Sequence, residues 1–163
     1  MDSDIYIEND RSAKMISNDT DNYVMYVKHE GKFAVAKALF AGYSDWQELY
    51  NREIEFQTFL STHDLAPFLL EQRKMIEVVG RTFVMWISED AGLPIEKEDV
   101  EAANDVIDRL WDVGVKIHDY VHPSMFVKGF DGKIRVTDFK NAEWVIAENE
   151  DTAKRQYLQW KDF

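Results

Sequence analysis

No cysteine occurs among the 163 residues, so there is no disulfide framework and no thiolate to hold a metal or act as a nucleophile. That suits a reducing compartment, and a cytoplasmic, intracellular setting (the chain's own cell or a host's) is expected. Glycine (7) and proline (3) are few and scattered, which excludes a low-complexity tract and favours one compact unit. Cations are scarce as well. Lys and Arg number 19 against 31 Asp and Glu, for a formal net charge of −12. A phosphate-backbone binder needs clustered cations to release counterions, and an anionic membrane attracts the same groups, so neither nucleic acid nor a membrane is an expected partner. Long apolar runs are missing too. The longest, Phe83-Val84-Met85-Trp86-Ile87, is far short of the roughly 20 residues that span a bilayer. The start, Met1-Asp2-Ser3-Asp4, is acidic and unlike a secretory signal.

What is present is enough for a sizeable core: 45% hydrophobic and 13% aromatic residues exclude wholesale disorder. Residues 1–22 are polar and acidic, with short alternating pieces at 5–7 and 15–16. Residues 23–28 and 33–40 alternate around a His29-Glu30-Gly31-Lys32 turn and predict a hairpin. Residues 46–60 repeat apolar groups near a 3.6 period and predict a helix, ended by Asp64-Leu65-Ala66-Pro67. Strands are predicted at 68–70, 75–79 and 81–87, the last two joined by a tight Val79-Gly80-Arg81 turn. A second helix is predicted over 98–113, with an apolar stripe of Val100, Ala103, Val106, Ile107, Leu110 and Trp111 and with Gly114 as its terminating glycine. Short strands or loops follow at 117–121, 126–127 and 134–136, with a 129–132 turn, and a closing helix is predicted over 148–160. This order is α+β.

Four segments together resemble a protein kinase. Phe33-Ala34-Val35-Ala36-Lys37 resembles the third-strand V-A-I-K segment, which implies that Lys37 is the phosphate-contacting lysine. Arg52-Glu53-Ile54 resembles the αC helix, which implies that Glu53 pairs with that lysine. Phe83-Val84-Met85-Trp86-Ile87-Ser88 looks like the strand entering the hinge, with Met85 near the gatekeeper place. His118 through Val127, followed by Lys133-Ile134-Arg135-Val136-Thr137-Asp138-Phe139, is similar to the catalytic loop and the D-F-G strand. The His122-Pro123 pair adds a likeness to aminoglycoside-phosphotransferase-like kinases, and small effector kinases lacking an activation segment are similar too. The resemblance covers residues 23–145 in the family's order. It implies a minimal two-lobed protein-kinase-like fold: residues 1–88 as a lobe with a five-stranded antiparallel sheet and an αC helix, and 89–163 as a reduced helical lobe.

Phosphoryl transfer is mostly positioning and charge neutralisation, so the family needs glycines over the phosphates, a lysine, Mg²⁺ ligands and a base. The resemblance places Ser17-Asn18-Asp19-Thr20-Asp21-Asn22 where the glycines belong, and no glycine precedes Gly31. One aspartate at ~4 Å from a phosphate charge, at an effective dielectric of ~20, costs about 4 kcal/mol. Half of that weakens nucleotide binding more than tenfold. The bland alternative is a solvated acidic turn that points away. Aligned on Pro123 and Phe126, the catalytic loop has Tyr120 at the base and Met125 at the metal-binding asparagine. A phenol with a pKa near 10 is a poor base, and a thioether is a poor ligand for a hard cation. A one-residue slip instead makes Asp119 the base and Ser124 a weak ligand. Asp138 is retained as the family's metal and nucleotide-site carboxylate, but Lys140 replaces the glycine and would either neutralise Asp138 without a metal or be simply an exposed lysine after a strand. Lys37 and Glu53 are kept, and they serve equally as a lock between helix and sheet. Residues 139–163 hold neither an A-P-E segment nor the helical subdomain that binds peptide substrates.

The expectation is therefore a catalytically inactive, truncated kinase-like protein, a pseudokinase, that regulates or inhibits by binding a protein. A kinase or kinase-associated protein is one such partner, and the stripped form suits a viral or pathogen-encoded inhibitor. No cofactor is expected on that reading. The degenerate nucleotide site would comprise Lys37, Glu53, Met85 and Asp138, with Asp138 its one weak metal ligand. The alternative is an active atypical kinase or small-molecule phosphotransferase using ATP and Mg²⁺ through Asp119 and Asp138. A third reading is an acidic decoy of a nucleic-acid-binding protein. The acidic helix face (Glu98, Asp99, Glu101, Asp105, Asp108, Asp112) would address a basic partner or simply be solvated. Trp46, Trp86 and Trp111 are expected in packing roles, and Trp144 and Trp160 in packing or as a partner's anchor.

Overall fold

Alternation of apolar residues sets the first hairpin, and the computed structural model carries it into an α+β chain with antiparallel sheets and, among the described residues, two α-helices. Residues 15–19, 22–145 and 155–160 are described, 15–19 as backbone. In chain order the elements are β1 (Met15–Asp19), β2 (Asn22–His29), β3 (Lys32–Phe40), α1 (Trp46–Ser61), β4 (Leu69–Val78), β5 (Arg81–Glu89), β6 (Leu93–Pro94), α2 (Val100–Asp112), β7 (Val115–Lys116), β8 (Phe126–Lys128), β9 (Ile134–Val136) and β10 (Glu143–Trp144). The predicted piece at 5–7 lies outside the described residues, as do Thr20 and Asp21 of the acidic turn. Two compact units form: Met1–Asn51 with Phe68–Asp90, and Arg52–Pro67 with Ala91–Phe163. The sequence suggests a single cut at 88. Arg52–Pro67 instead belongs to the second unit, because Phe56, Leu60, Leu65 and Ala66 are buried in that unit's core. Among the described residues no helix is long and apolar enough to cross a membrane.

In the first unit the main sheet runs β2-β3-β5-β4, and β1 adds backbone pairing to the outer side of β2. Cross-strand partners share a face. Val27, Ala34, Ala36, Ala38, Phe83, Met85 and Ile87 therefore form one core face, on which the small alanines leave room for the rings and thioether of β5. The opposite face of β5 is covered as well, with Val84 and Trp86 buried there. The longest apolar run of the chain is thus a strand buried on both sides. β4 joins two segments that the sequence separates. Register shifts on either side of Glu71, with Arg73 at φ 50, break the period-2 signal that would have revealed one strand.

The second unit buries Phe126, Phe139, Leu60, Leu65 and Leu110 at its centre. α2 contributes Ala103, Val106, Ile107 and Leu110 of the predicted stripe to the core, with Val100 packed partly against it, whereas Trp111 is half-buried and outside that core. The helix end is set by Gly114 at φ 87. It is entered through a short turn at Lys97–Asp99. There the Asp99 carboxylate accepts from the Glu96 backbone N–H at 2.9 Å and pairs with Lys128 at 2.9 Å. Asp99 is therefore buried structure and not part of a solvated acidic face. Two small sheets, β10-β7 and β6-β8-β9, flank this core. Gly92 must be glycine: at φ 135, a Cβ there would sit 2.0 Å from the Lys128 carbonyl oxygen. The hairpin of β8 and β9 is clamped by charge. Arg135 bonds both Asp64 at 2.9 Å and Asp131 at 3.0 Å, and Lys133 reaches Asp64 at 2.6 Å.

The predicted closing helix is corrected in its described part. Residues 155–159 form neither helix nor strand and only Trp160 lies in a helical turn, while 148–154 lie outside the described residues. The reason is a competing set of backbone partners. The Asn104 side chain accepts from the Leu158 N–H at 2.8 Å and donates to the Leu158 carbonyl at 3.2 Å, taking the two groups a helix would pair internally.

Two predictions follow from these elements. In the two-residue turn between β4 and β5, Val79 (φ 50) precedes Gly80 (φ 75), and Val79 is 97% exposed. A β-branched residue is disfavoured there, whereas Asn-Gly is the preferred pair for such a turn. Val79→Asn should raise stability by about 1 kcal/mol, read as a higher urea midpoint at unchanged slope. The Arg135 guanidinium, with help from the Lys133 backbone N–H, lowers the Asp131 carboxyl from 3.8 to about 2. A carboxylate depressed in the fold stabilises above its unfolded pKa and loses that contribution as pH falls through the folded one. Stability should drop between pH 3.8 and about 2, and Asp131→Asn should flatten that part of the melting-temperature profile.

Candidate functional site

The residues singled out by the resemblance divide between the units: Lys37 and Met85 belong to the first, and Glu53, Asp119 and Asp138 to the second. Lys37 lies half-buried in the middle of β3, opposite Val24 on one side and Trp86 on the other. Its side chain therefore shares a face with Trp86, on whose ring Tyr50 stacks at 5.6 Å and 6°. Met85 pairs with Ala38 and faces the other way, into the alanine-lined core. The sheet thus places Met85 away from the lysine's face and puts Trp86 there instead. Trp86 is 3% exposed, and its indole N–H meets no acceptor among the described residues. Burial also raises the pKa of the neighbouring Tyr50 phenol. Glu53 occupies the buried stripe of α1 that runs through Tyr50, Phe56, Gln57 and Leu60.

In the second unit the loop after β7 is tied together by its own side chains. Asp119 is exposed and receives a hydrogen bond from the Lys116 ammonium at 2.6 Å. That contact holds its carboxyl below the usual carboxylate range. Lys116 is buried in β7 and also lies 3.8 Å from Glu143 of the paired strand β10. The Tyr120 backbone N–H donates to His118 Nδ1 at 2.7 Å, and the phenol ring is 56% exposed. His122 caps the turn Pro123–Met125: its Nδ1 accepts from the Ser124 N–H at 3.1 Å and lies 2.8 Å from Ser124 Oγ. Met125 is buried in the hydrophobic core, and its carbonyl receives the Thr137 N–H at 2.9 Å. Both histidines are thus engaged in shaping the loop.

Asp138 follows β9 and opens a turn. Its carboxylate accepts from the backbone N–H of Lys140 at 3.2 Å. The intervening Phe139 is fully buried, and Arg52 donates to the Lys140 carbonyl at 3.2 Å. Lys140 thus serves Asp138 through its backbone. Its ammonium forms no ion pair with Asp138 among the described residues, so the expected neutralisation is not what the turn does.

ATP-bound Mg²⁺ takes hard oxygen ligands in octahedral geometry. In one register the second ligand position holds a core thioether. In the other, the base is a carboxylate made less basic by Lys116. Among the described residues no three or more His, Cys, Asp or Glu side chains are grouped to hold a metal ion. Sequence reasoning missed Lys116 and Glu143, because two-residue strands carry no periodic signal. It also missed Asn104, whose one cue was a polar residue bordering the apolar stripe of α2.

Placing asparagine at position 125, where the kinase resemblance has its metal-binding asparagine, tests this geometry. Met125→Asn replaces a buried thioether by an amide in an apolar site and should cost about 3 kcal/mol, seen as a lower urea midpoint. It should create no Mg²⁺-dependent rise in melting temperature. A scan against models of known protein families finds no match to this chain, and a search of curated proteins finds no relative.

Proposed function

We propose that this chain is a catalytically inactive, kinase-like protein that acts by binding another protein. Support comes from the order of the four kinase-like segments together with what occupies the chemical positions. The observation that carries the reading is Met125, a buried core side chain where a phosphoryl-transfer enzyme needs a metal ligand. Tyr120 at the base position faces solvent as a phenol, and Asp119 is committed to Lys116. Lys37, Glu53 and Asp138 then act as structural groups, each held by its own element, and the partner surface replaces the substrate site.

Ligand-linked stability tests this directly. A ligand that binds only the folded state raises the melting temperature with ligand excess. The full chain should show no shift at millimolar ATP, with or without Mg²⁺. A Mg²⁺-dependent shift abolished by Lys37→Met and by Asp138→Asn would overturn the inactive reading in favour of a phosphotransferase.

A further inference from the structure

The segment 155–160, which forms neither helix nor strand up to Gln159, lies on α2 in the manner of a bound peptide. Burial alternates along it: Gln156, Leu158 and Trp160 turn inward, while Arg155, Tyr157 and Gln159 are exposed. Leu158 is 2% exposed in the hydrophobic core, and Trp160 packs on the same core. Asn104 holds both backbone groups of Leu158, at 2.8 and 3.2 Å. This arrangement recognises the main chain without regard to the side chain there. One turn further along α2, Asp108 takes the Arg155 guanidinium and the Tyr157 hydroxyl, each at 2.7 Å. The Arg155 guanidinium also lies 5.0 Å from the ring centre of Trp111.

Three separate readouts thus sit at helical spacing on one face: a main-chain reader (Asn104), an acid for a cation and a phenol (Asp108), and an aromatic platform (Trp111). Leu158 itself is buried in the core that holds Ala103, Val106, Ile107 and Leu110 of α2. We propose that this face of α2 is a peptide-docking groove, occupied in cis by residues 155–160. When the resident segment lifts, the groove accepts a protein segment of the same chemistry. That chemistry is an arginine, a tyrosine two residues later, a leucine next, and an aromatic residue two beyond it. The resident segment is itself the observation that identifies the occupant. Its attachment is short and local, with Leu158 and Trp160 on the core, Asn104 on the main chain, Asp108 on Arg155 and Tyr157, and Trp111 beside Arg155, so it opens as one small unit. The proposal is independent of whether nucleotide binds elsewhere.

The test uses the full chain carrying Leu158→Asp, which places a charge where Leu158 is buried and releases the segment. A fluorescein-labelled, end-blocked peptide with the sequence of residues 155–160 is the probe, read by anisotropy. Saturable binding to Leu158→Asp, at least tenfold weaker binding to the wild-type chain, and a further loss of about tenfold or more on adding Asn104→Ala support the groove. No binding by a Leu158→Asp chain that keeps its far-ultraviolet circular dichroism, or binding that survives Asn104→Ala, overturns it. If Leu158→Asp fails to fold, amide exchange of the wild-type chain decides. The Leu158 amide should exchange at least tenfold faster than the amides of Val106 and Leu110, and Asn104→Ala should accelerate it selectively. Exchange at the same rate as that core overturns the proposal. A second copy supplying the segment would give concentration-dependent dimers of the wild-type chain in sedimentation, and that result would overturn occupation in cis.

Discussion

Burial of Phe139 between β9 and the following turn is the constraint on which the second unit depends. The ring is fully removed from water, a gain on the order of 2–3 kcal/mol by area alone, and it shares a core with Phe126, Met125, Leu65 and Leu110. Once the ring is inside, its neighbours have little freedom. Asp138 must lie at the start of a turn, Lys140 must face solvent, and Arg52 can reach the Lys140 carbonyl. The same core takes Met125, which sets where the loop of His118, Asp119 and Tyr120 emerges. Side chains that resemble a catalytic set are thereby arranged by packing.

Polar groups near this core are satisfied in pairs, each by a partner distant in sequence. Asp99 meets Lys128, Arg135 meets Asp64, and Asn104 meets Leu158. Removing one member of such a pair leaves a polar group without its partner, which costs more than the bond itself contributes. Burial also explains why the large acidic excess is only partly available to a partner. Asp99 is inside, and Asp108 is held by Arg155 and Tyr157, leaving Glu98, Glu101, Asp105 and Asp112 on the exposed side of α2 and its entry.

Much of the first unit, and α2 of the second, was legible residue by residue. The turns at Glu30-Gly31 and Val79-Gly80, the hairpins they close and the apolar spacing of α2 are local signals, and the structure has them where the pattern puts them. The misreadings have specific causes. β4 was split because Arg73 breaks its alternation. The 148–160 helix, which fails in its described part, 155–160, was expected because nothing local shows that Asn104, far away in sequence, captures the backbone of Leu158. Met85 was assigned to the lysine's surroundings on the strength of a motif, but strand register decides facing, and a one-residue difference reverses it. Of the candidate site residues, identity and order were readable, and their neighbours were not.

By itself, the sequence determined the α+β class, the helices α1 and α2, the hairpins, and the absence of thiol chemistry, because these depend on composition and on short-range periodicity. Only tertiary structure decided which carboxylates are committed: Asp64 and Asp131 to Arg135, Asp119 to Lys116, Asp108 to the segment at 155–160. It also decided that this segment is not helical up to Gln159, that Met125 belongs to the core, and that Trp86 is the β5 side chain beside Lys37. The physical reason is the same in each case. A hydrogen bond or a buried contact is settled by where two distant stretches of chain meet, and no local pattern records that meeting.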